Sequence, residues 1–126
     1  MKKIITTKNA PAPIGPYNQA ILVNDTLYLS GQIGLDPRLM KMVKGDIKKE
    51  TEQVMKNLKN VLEAADMTFN NVIKSSIFLS DMGDFAKVNE VYGSYFINET
   101  APARETIAVR TLPKNVRVEI SMIAVK

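Results

Sequence analysis

The amino-acid sequence alternates between two kinds of hydrophobic spacing, one typical of helices and the other of strands. The clearest helical pattern follows Asp46, a candidate N-cap, and ends near Asp66. Its apolar face carries Ile47, Val54, Met55, Leu58, Val61, Leu62 and Ala65. A second helical pattern, capped by Asp84, runs to about Phe96. We therefore expect two amphipathic helices, each with one face against the core.

β-Branched or period-two stretches predict the strands. The expected strands are Lys3–Thr6, Tyr17–Val23, Thr26–Ile33, Val72–Ser80, Arg104–Thr111 and Val116–Val125, with a short one around Met40–Val43. Asn24 and Asp25 predict a hairpin turn, and the run Asn9–Pro16 is too rich in Pro and Gly for a regular helix. The order β-β-β-α-β-α-β-β predicts a single α+β domain over residues 1–126, with about six strands in a mixed sheet and two helices packed on one face.

The last predicted strand shows that the other face of the sheet needs a cover. One side of this strand carries Val116, Val118, Ile120 and Met122, and the opposite side carries Arg117, Glu119, Ser121, Ile123 and Val125. The second set begins polar and ends apolar. In a chain of 126 residues, a sheet face of this mixed character predicts a subunit interface that contains a polar pocket.

The composition limits the chemistry. The sequence has no Cys and no His, which excludes a Ser-His-Asp triad and leaves acid–base catalysis to Asp, Glu, Lys, Tyr, backbone or water. A zinc site would need carboxylates alone, so no metal is expected. No apolar run approaches the ~20 residues of a membrane span, and residues 1–10 lack an apolar signal core, so we expect a cytoplasmic protein without membrane contact.

The net charge of +4 indicates mainly a solvated surface with a modest excess of Lys. No run of five or more like charges occurs, so we do not expect nucleic acid as a partner. An excess of positive charge also attracts anionic metabolites, so the net charge is equally compatible with a small acidic ligand.

Arg104 is the first candidate for a functional residue. It follows Pro102 and opens a strand in which Arg104, Thr106 and Ala108 share one face. A guanidinium fixed in this way can bind a carboxylate through two parallel hydrogen bonds. A surface Arg paired with Glu or water explains the pattern equally well.

Other candidates come from the strands and the Pro-rich loop. Glu119 lies within a β-branched run, where a carboxylate is solvated, paired or functional. Ser30 and Gly31 lie near a strand end, where glycine lets the backbone approach a ligand, although a plain turn would also use them. Tyr17 closes the Pro-rich loop and Asn89 lies in the second helix, and neither is distinctive alone.

Taken in order, several segments resemble one family over nearly the whole chain. They are GPYNQAI, YLSGQIG, LKNVLEAADM, FLSDMGDFAKVNEVY, PARETIAV and LPKNVRVEI. This order and spacing is similar to the RidA (YjgF) family of reactive-intermediate, or enamine/imine, deaminases. The sequence departs from the usual family pattern at Glu105 and at Thr106, where many members have Cys.

The resemblance implies a chorismate-mutase-like fold and a homotrimer with active sites between subunits. It implies a 2-iminobutanoate/2-iminopropanoate deaminase, which hydrolyses imines derived from 2-aminoacrylate or 2-aminocrotonate to 2-keto acids and ammonia, without a metal or organic cofactor. By the same resemblance, Arg104 binds the substrate carboxylate, Glu119 activates water and Tyr17 closes the pocket. The implied lining and substrate contacts are Ser30, Gly31, Asn89, Thr106 and the Ile107 backbone.

Two other functions remain open from the sequence. A non-catalytic module could bind 2-keto acids or other small carboxylates through the same Arg104. A role in RNA cleavage or translational inhibition, proposed for some members of the family, is the third alternative, and the basic pI of 9.3 is its only support.

Overall fold

The computed structural model describes all 126 residues, Met1–Lys126. It confirms two helices and one six-stranded mixed sheet. The helices are α1 (Ile47–Ala64) and α2 (Phe85–Gly93). The strands are β1 (Lys2–Ile5), β2 (Ala20–Val23), β3 (Thr26–Gln32), β4 (Leu35–Asp36), β5 (Lys41–Met42), β6 (Val72–Leu79), β7 (Ala103–Ala108) and β8 (Val118–Val125).

The six-stranded sheet has the order β1-β2-β3-β8-β6-β7, and only the β6–β7 pair is parallel. The expected short strand near Met40 is β5, and it pairs with β4 in a separate two-stranded hairpin that the sequence pattern did not predict. Strand β7 is an edge strand, so Arg104 lies at one border of the sheet.

Helix α1 begins and ends for local reasons. The Asp46 side chain accepts a hydrogen bond from the backbone N–H of Lys49 at 3.0 Å, which confirms the predicted N-cap. Asp66 has a φ of 57°, and the N–H of Met67 returns to the carbonyl of Leu62 at 2.9 Å. This left-handed residue stops the helix where the pattern predicted its end.

Asp84 occupies the predicted N-cap position of α2, but the predicted end of this helix was wrong. Asp84 makes no side-chain capping bond; instead, the Asp81 carboxylate accepts from the N–H of Gly83 at 2.8 Å and begins a short 3-10 turn that leads into α2. The helix ends at Gly93 rather than Phe96. Beyond it, Tyr95 and Phe96 pack against the ring of Phe69, with centroids 5.2 and 5.4 Å away.

Two strands are shorter than predicted. β2 begins at Ala20 rather than Tyr17, because the preceding Gln19 is tied to the Pro-rich loop by its side chain. β7 ends at Ala108 rather than Thr111, because its only partner, β6, ends at Leu79, which pairs with Ala108. Tyr17 therefore lies in a loop, at the rim of the sheet.

The two faces of the sheet differ as β8 predicted. The face toward α1 and α2 is buried and includes Leu27, Leu29, Ile77, Leu79, Val118, Ile120, Met122 and Ala124. On the other face, Tyr28, Ile73 and Ile107 are each about half exposed. Glu119 and Ser121, on the same face, are partly buried. Large apolar side chains on an open face favour contact with another protein surface.

Membrane insertion by a helix has no support in the structure, since neither α1 nor α2 combines the length and apolar character that crossing a bilayer requires.

Candidate functional site

A cavity of about 580 Å³ opens beside the Pro-rich loop and the carboxyl end of β3. Its polar lining includes four of the predicted site residues: Tyr17, Ser30, Gly31 and Glu119. The apolar part of the wall comes from Pro11, Ala12, Ile14, Ile33, Leu35 and Pro113. An apolar cavity with a few convergent polar groups is the usual form of a small-molecule site.

Glu119 lies directly over Gly31. A Cβ built on Gly31 would be 2.4 Å from Glu119 Oε2 and 2.8 Å from its Cδ. The pairing of β3 with β8 is interrupted between Leu29 and Gln32, which bends the strand at Ser30 and Gly31. Only glycine therefore leaves room for the Glu119 carboxylate in this position.

The Glu119 carboxylate has no cationic partner in the chain. Burial raises the pKa of the Glu119 carboxyl above its ordinary value. A carboxylate that is half-buried, unpaired and next to a cavity is suited to accept a proton from a bound water or substrate.

The hydroxyl groups of Ser30 and Tyr17 are oriented by the backbone. Ser30 Oγ donates to the carbonyl of Asn18 at 2.6 Å, so its lone pairs remain available to accept from a ligand N–H or a water. Tyr17 Oη accepts from the N–H of Ile14 at 3.3 Å, which leaves its own proton free to donate. The two residues thus offer one acceptor and one donor to the same cavity.

Buried amide side chains hold the cavity wall in place. Gln19 Nε2 donates to the carbonyls of Ala10 and Pro11 at 3.1 and 2.9 Å. Asn57, on α1, donates to the carbonyls of Ile33 and Leu35 at 3.1 and 2.9 Å. These bonds connect the Pro-rich loop and the segment after β3 to the protein core, so the cavity does not depend on loop packing alone.

Arg104 lies in a second cluster. Its Nη1 donates to Asn89 Oδ1 at 2.7 Å, and its Cζ lies over the rings of Phe85 and Tyr92, 5.7 and 5.2 Å from their centroids. Arg104 is exposed and forms no ion pair with any carboxylate of the chain. A cavity of about 410 Å³, which Asn98 and Phe96 also line, adjoins it.

Glu105 does not neutralise Arg104, in agreement with the alternation of β7. The Glu105 carboxylate forms an ion pair with Lys74 Nζ at 2.8 Å and accepts a hydrogen bond from the Ser76 hydroxyl. The hydrogen bond from Lys74, and to a smaller extent the one from Ser76, holds the pKa of the Glu105 carboxyl below its ordinary value. The departure from the family pattern at this position therefore has its own partners on the open face.

Thr106 and Ile107 line neither cavity in the single chain. Thr106 Oγ1 is buried and has no hydrogen-bond partner, although it lies on the same face of β7 as Arg104. A buried hydroxyl without a partner is rare and indicates a ligand or a further protein group. Ile107 is 46% exposed on the opposite face.

The predicted residues thus form two separate groups on opposite faces of the sheet. Ile77 pairs with both Thr106 and Ile120, so Arg104 and Thr106 share the helix-covered face with Ile120. Glu119 precedes Ile120 and points to the open face. One chain therefore places the Arg104 guanidinium and the Glu119 carboxylate on opposite faces of the sheet and does not bring them together.

Sequence reasoning missed several residues of these groups. Lys114 lines the Glu119 cavity from a left-handed turn with a φ of 57°. Phe85 and Tyr92 lie against the Arg104 guanidinium, and their spacing with Asn89 in the sequence places all three on one helical face. No group of three or more Asp and Glu side chains has the proximity that a metal ion needs.

The fold and the two clusters define a small α+β protein with a carboxylate and a guanidinium free to bind ligands, and comparison with known proteins assigns its class. The family model described as Endoribonuclease L-PSP matches residues 7–126. A RutC family protein of Pyrococcus horikoshii is 53% identical over 100% of this chain and 99% of its own length. The 2-iminobutanoate/2-iminopropanoate deaminase of Mus musculus is 48% identical over 100% of this chain and 93% of its own.

Among solved structures, TdcF of E. coli with bound serine superposes with a TM-score of 0.92 at 36% identity, covering 98% of both chains. The chain therefore belongs to the RidA family, as the sequence segments indicated.

Proposed function

We propose that this protein is a 2-iminobutanoate/2-iminopropanoate deaminase, which hydrolyses 2-imino acids to 2-keto acids and ammonia. Support comes from the mouse deaminase, which is 48% identical along the whole chain. The observation that carries the proposal is the unpaired charge of Arg104, whose only polar partner is the neutral amide of Asn89. We further propose that it acts in the cytoplasm, since a chain without Cys needs no oxidising compartment.

In this proposal, Arg104 binds the substrate carboxylate. A guanidinium has five N–H donors, and Arg104 uses Nη1 for Asn89. The remaining donors suffice for two parallel bonds to a carboxylate. Because Arg104 has no acidic partner, the substrate does not have to displace an internal ion pair.

Glu119 is the proposed general base. It removes a proton from water as the water oxygen attacks the carbon of the protonated imine and the electron pair of the C=N bond moves to nitrogen, which gives a neutral carbinolamine. The protonated Glu119 then passes its proton to the amino nitrogen, and the C–N bond breaks. As the carbonyl forms, the Glu119 carboxylate takes the proton of the carbinolamine hydroxyl and transfers it to the departing ammonia, which leaves as ammonium. The raised pKa of Glu119 suits both steps, because a base and an acid work best when their pKa lies near the working pH.

Tyr17, Ser30 and Gly31 complete the Glu119 side of the proposed site. The free proton of Tyr17 Oη can stabilise the developing carbinolamine, and the lone pairs of Ser30 Oγ can accept from the substrate N–H. Gly31 leaves the space in which the carboxylate works. Thr106 Oγ1, buried without a partner, is proposed as a contact to substrate or water on the Arg104 side, together with the Ile107 backbone.

The opposite placement of Arg104 and Glu119 supports an active site formed by two chains. We propose a homotrimer in which the Arg104 cluster of one protomer faces the Glu119 cavity of its neighbour. The half-exposed apolar residues Tyr28, Ile73 and Ile107 give the open face of the sheet the character of an interface. A closed ring of head-to-tail contacts would form three identical sites.

The alternative is a non-catalytic protein that binds small carboxylates through the same Arg104. The TdcF structure favours it, because that protein was crystallised with serine, an amino acid and not an imine. Both functions predict binding at Arg104, and only the first predicts turnover.

The experiment couples a threonine dehydratase to the protein and follows release of 2-ketobutyrate. The deaminase accelerates this release over buffer, and Arg104→Ala abolishes the acceleration. Glu105→Ala is the matched control, since it removes the adjacent charged residue on the opposite face. If the wild-type protein binds 2-ketobutyrate without accelerating its release, the binding function replaces the deaminase.

A further inference from the structure

Three residues of α2 lie on one helical face directed at the edge strand β7. Phe85, Asn89 and Tyr92 are spaced by four and three residues, which places them one above another. All three contact the guanidinium of Arg104: Asn89 through a hydrogen bond of 2.7 Å, and the two rings through their faces.

This contact matters because β7 has no strand beyond it. Arg104 is exposed at the edge of the sheet and has no ion pair that would hold its long side chain. A free Arg side chain loses considerable rotamer entropy when it binds a ligand. A guanidinium that already lies against aromatic faces is ordered before the ligand arrives.

The Tyr92 ring is itself fixed. It is 4% exposed, and its hydroxyl donates to Ser75 Oγ at 2.9 Å. Ser75 pairs with Arg104 in the register of β6 and β7. The strand pair that carries Arg104 therefore also anchors the ring on which its guanidinium lies.

We propose that Phe85 and Tyr92 are positioning residues, which orient the guanidinium of Arg104 through their ring faces so that it meets a carboxylate in bidentate geometry. The inference rests on the proposed binding of a carboxylate by Arg104. It adds that side chains of α2 set the affinity of Arg104 for that carboxylate. The rings contribute by their faces, and the Tyr92 hydroxyl contributes only to the anchoring of its own ring.

The variants separate these roles. Tyr92→Leu and Phe85→Leu remove a ring face, whereas Tyr92→Phe keeps the face and removes the bond to Ser75. Phe69→Leu is the matched control for core packing. Phe69 is also a partly buried aromatic residue packed against the core, but its ring partners are Tyr95 and Phe96.

The first measurement requires no ligand. In the NMR spectrum of the wild-type protein, we expect the Nε–Hε resonance of Arg104 to be shifted upfield by the two rings. Tyr92→Leu and Phe85→Leu should each move this resonance toward the position of a free Arg, and Tyr92→Phe and Phe69→Leu should leave it in place. An Arg104 resonance that does not respond to removal of either ring would overturn the proposal.

The second measurement is the affinity for 2-ketobutyrate and the KM of the coupled assay. Loss of one ring face should lower the affinity for 2-ketobutyrate and raise the KM, each about five-fold, and kcat should change less than KM. Tyr92→Phe should stay within about two-fold of wild type in KM while lowering the melting temperature, because it loses only the buried hydrogen bond. An equal rise in KM for Phe69→Leu would show a general packing effect and overturn the proposal.

The two proposals fail in different ways. In one outcome, the wild-type protein does not accelerate keto-acid release but binds 2-ketobutyrate, and the ring variants bind it more weakly. This result overturns the deaminase function and supports the positioning role. If acceleration occurs and depends on Arg104, but the ring variants match wild type in KM and in the Arg104 resonance, the positioning role alone is overturned.

Discussion

The carboxylate of Glu119 occupies the space that a side chain at Gly31 would need, with Oε2 only 2.4 Å from the position of a Cβ. The strand bend at Ser30 and Gly31 and the orientation of Glu119 are therefore one structural feature. The proposed base keeps its position because the opposite strand carries no side chain there.

Gly31→Ala should lower kcat by about ten-fold or more, since a displaced general base forfeits part of an effect worth roughly 100-fold or more. Gly31 is exposed and does not have a positive φ, so the melting temperature should change little. Gly93→Ala is the control, because a Cβ there meets nothing within 4 Å. Full activity in Gly31→Ala would contradict the proposed position of the base.

Glu119→Gln should remove activity and raise stability at neutral pH. Burial raises the pKa of Glu119, so the folded protein binds its proton more tightly than the unfolded chain does. The ionised carboxylate thus destabilises the fold above its folded pKa, and this cost disappears as the pH falls below the ordinary Glu value of about 4.3. Melting curves of the two proteins should differ at pH 7 and converge near pH 4. A variant less stable than wild type at pH 7 would argue against burial as the cause.

The same pKa predicts the acid limb of the reaction. A general base must be ionised, so kcat/KM should fall as the pH drops through a midpoint above the ordinary pKa of Glu. Glu105 is the comparison, since its pKa is held below its ordinary value by Lys74 and Ser76. Glu105→Gln should leave the midpoint of the profile unchanged. If the midpoint of the acid limb equals the ordinary pKa of Glu, the half-buried Glu119 is not the general base.

The sequence pattern predicted the six strands of the main sheet, both helices and the two faces of β8, because these depend on local spacing. It did not predict where β7 ends, since that end is determined by the length of its partner β6. Nor did it place the Tyr17 backbone, which leaves the strand because Gln19 is bonded to the distant Thr7. Contacts between segments far apart in the chain leave no periodic signal.

For the candidate site, the pattern identified the residues and not their arrangement. Alternation placed Arg104 and Thr106 on one face of β7, and Glu119 opposite Ile120 on β8. Which face of β7 matches which face of β8 depends on the parallel register of β6–β7 and the antiparallel register of β6–β8. That register separates Arg104 from Glu119 within one chain, which the sequence alone could not reveal.

Glu50→Ala should lower the free energy of unfolding by about 2 kcal/mol, because it leaves two donors of Arg117 without an acceptor in a partly exposed site. Glu50 is 4% exposed and accepts from the Arg117 backbone N–H at 2.9 Å and from its Nε at 2.7 Å. Urea unfolding measures the loss. The exposed pair of Lys74 and Glu105 is the control, and Glu105→Gln should cost much less. Equal losses would show that the buried pair has no special weight.

Mixing two inactive variants tests whether the site is shared between chains. Arg104→Ala and Glu119→Gln should each be inactive alone, because the proposed site needs both residues, which lie on opposite faces of the sheet. After unfolding, mixing in equal amounts and refolding, random assembly gives about a quarter of the interfaces a native Arg104 from one chain and a native Glu119 from its neighbour. The mixture should therefore recover up to about a quarter of wild-type activity in the keto-acid assay. The single variants carried through the same refolding are the control, and a mixture that stays as inactive as they are would place both residues in the site of one chain.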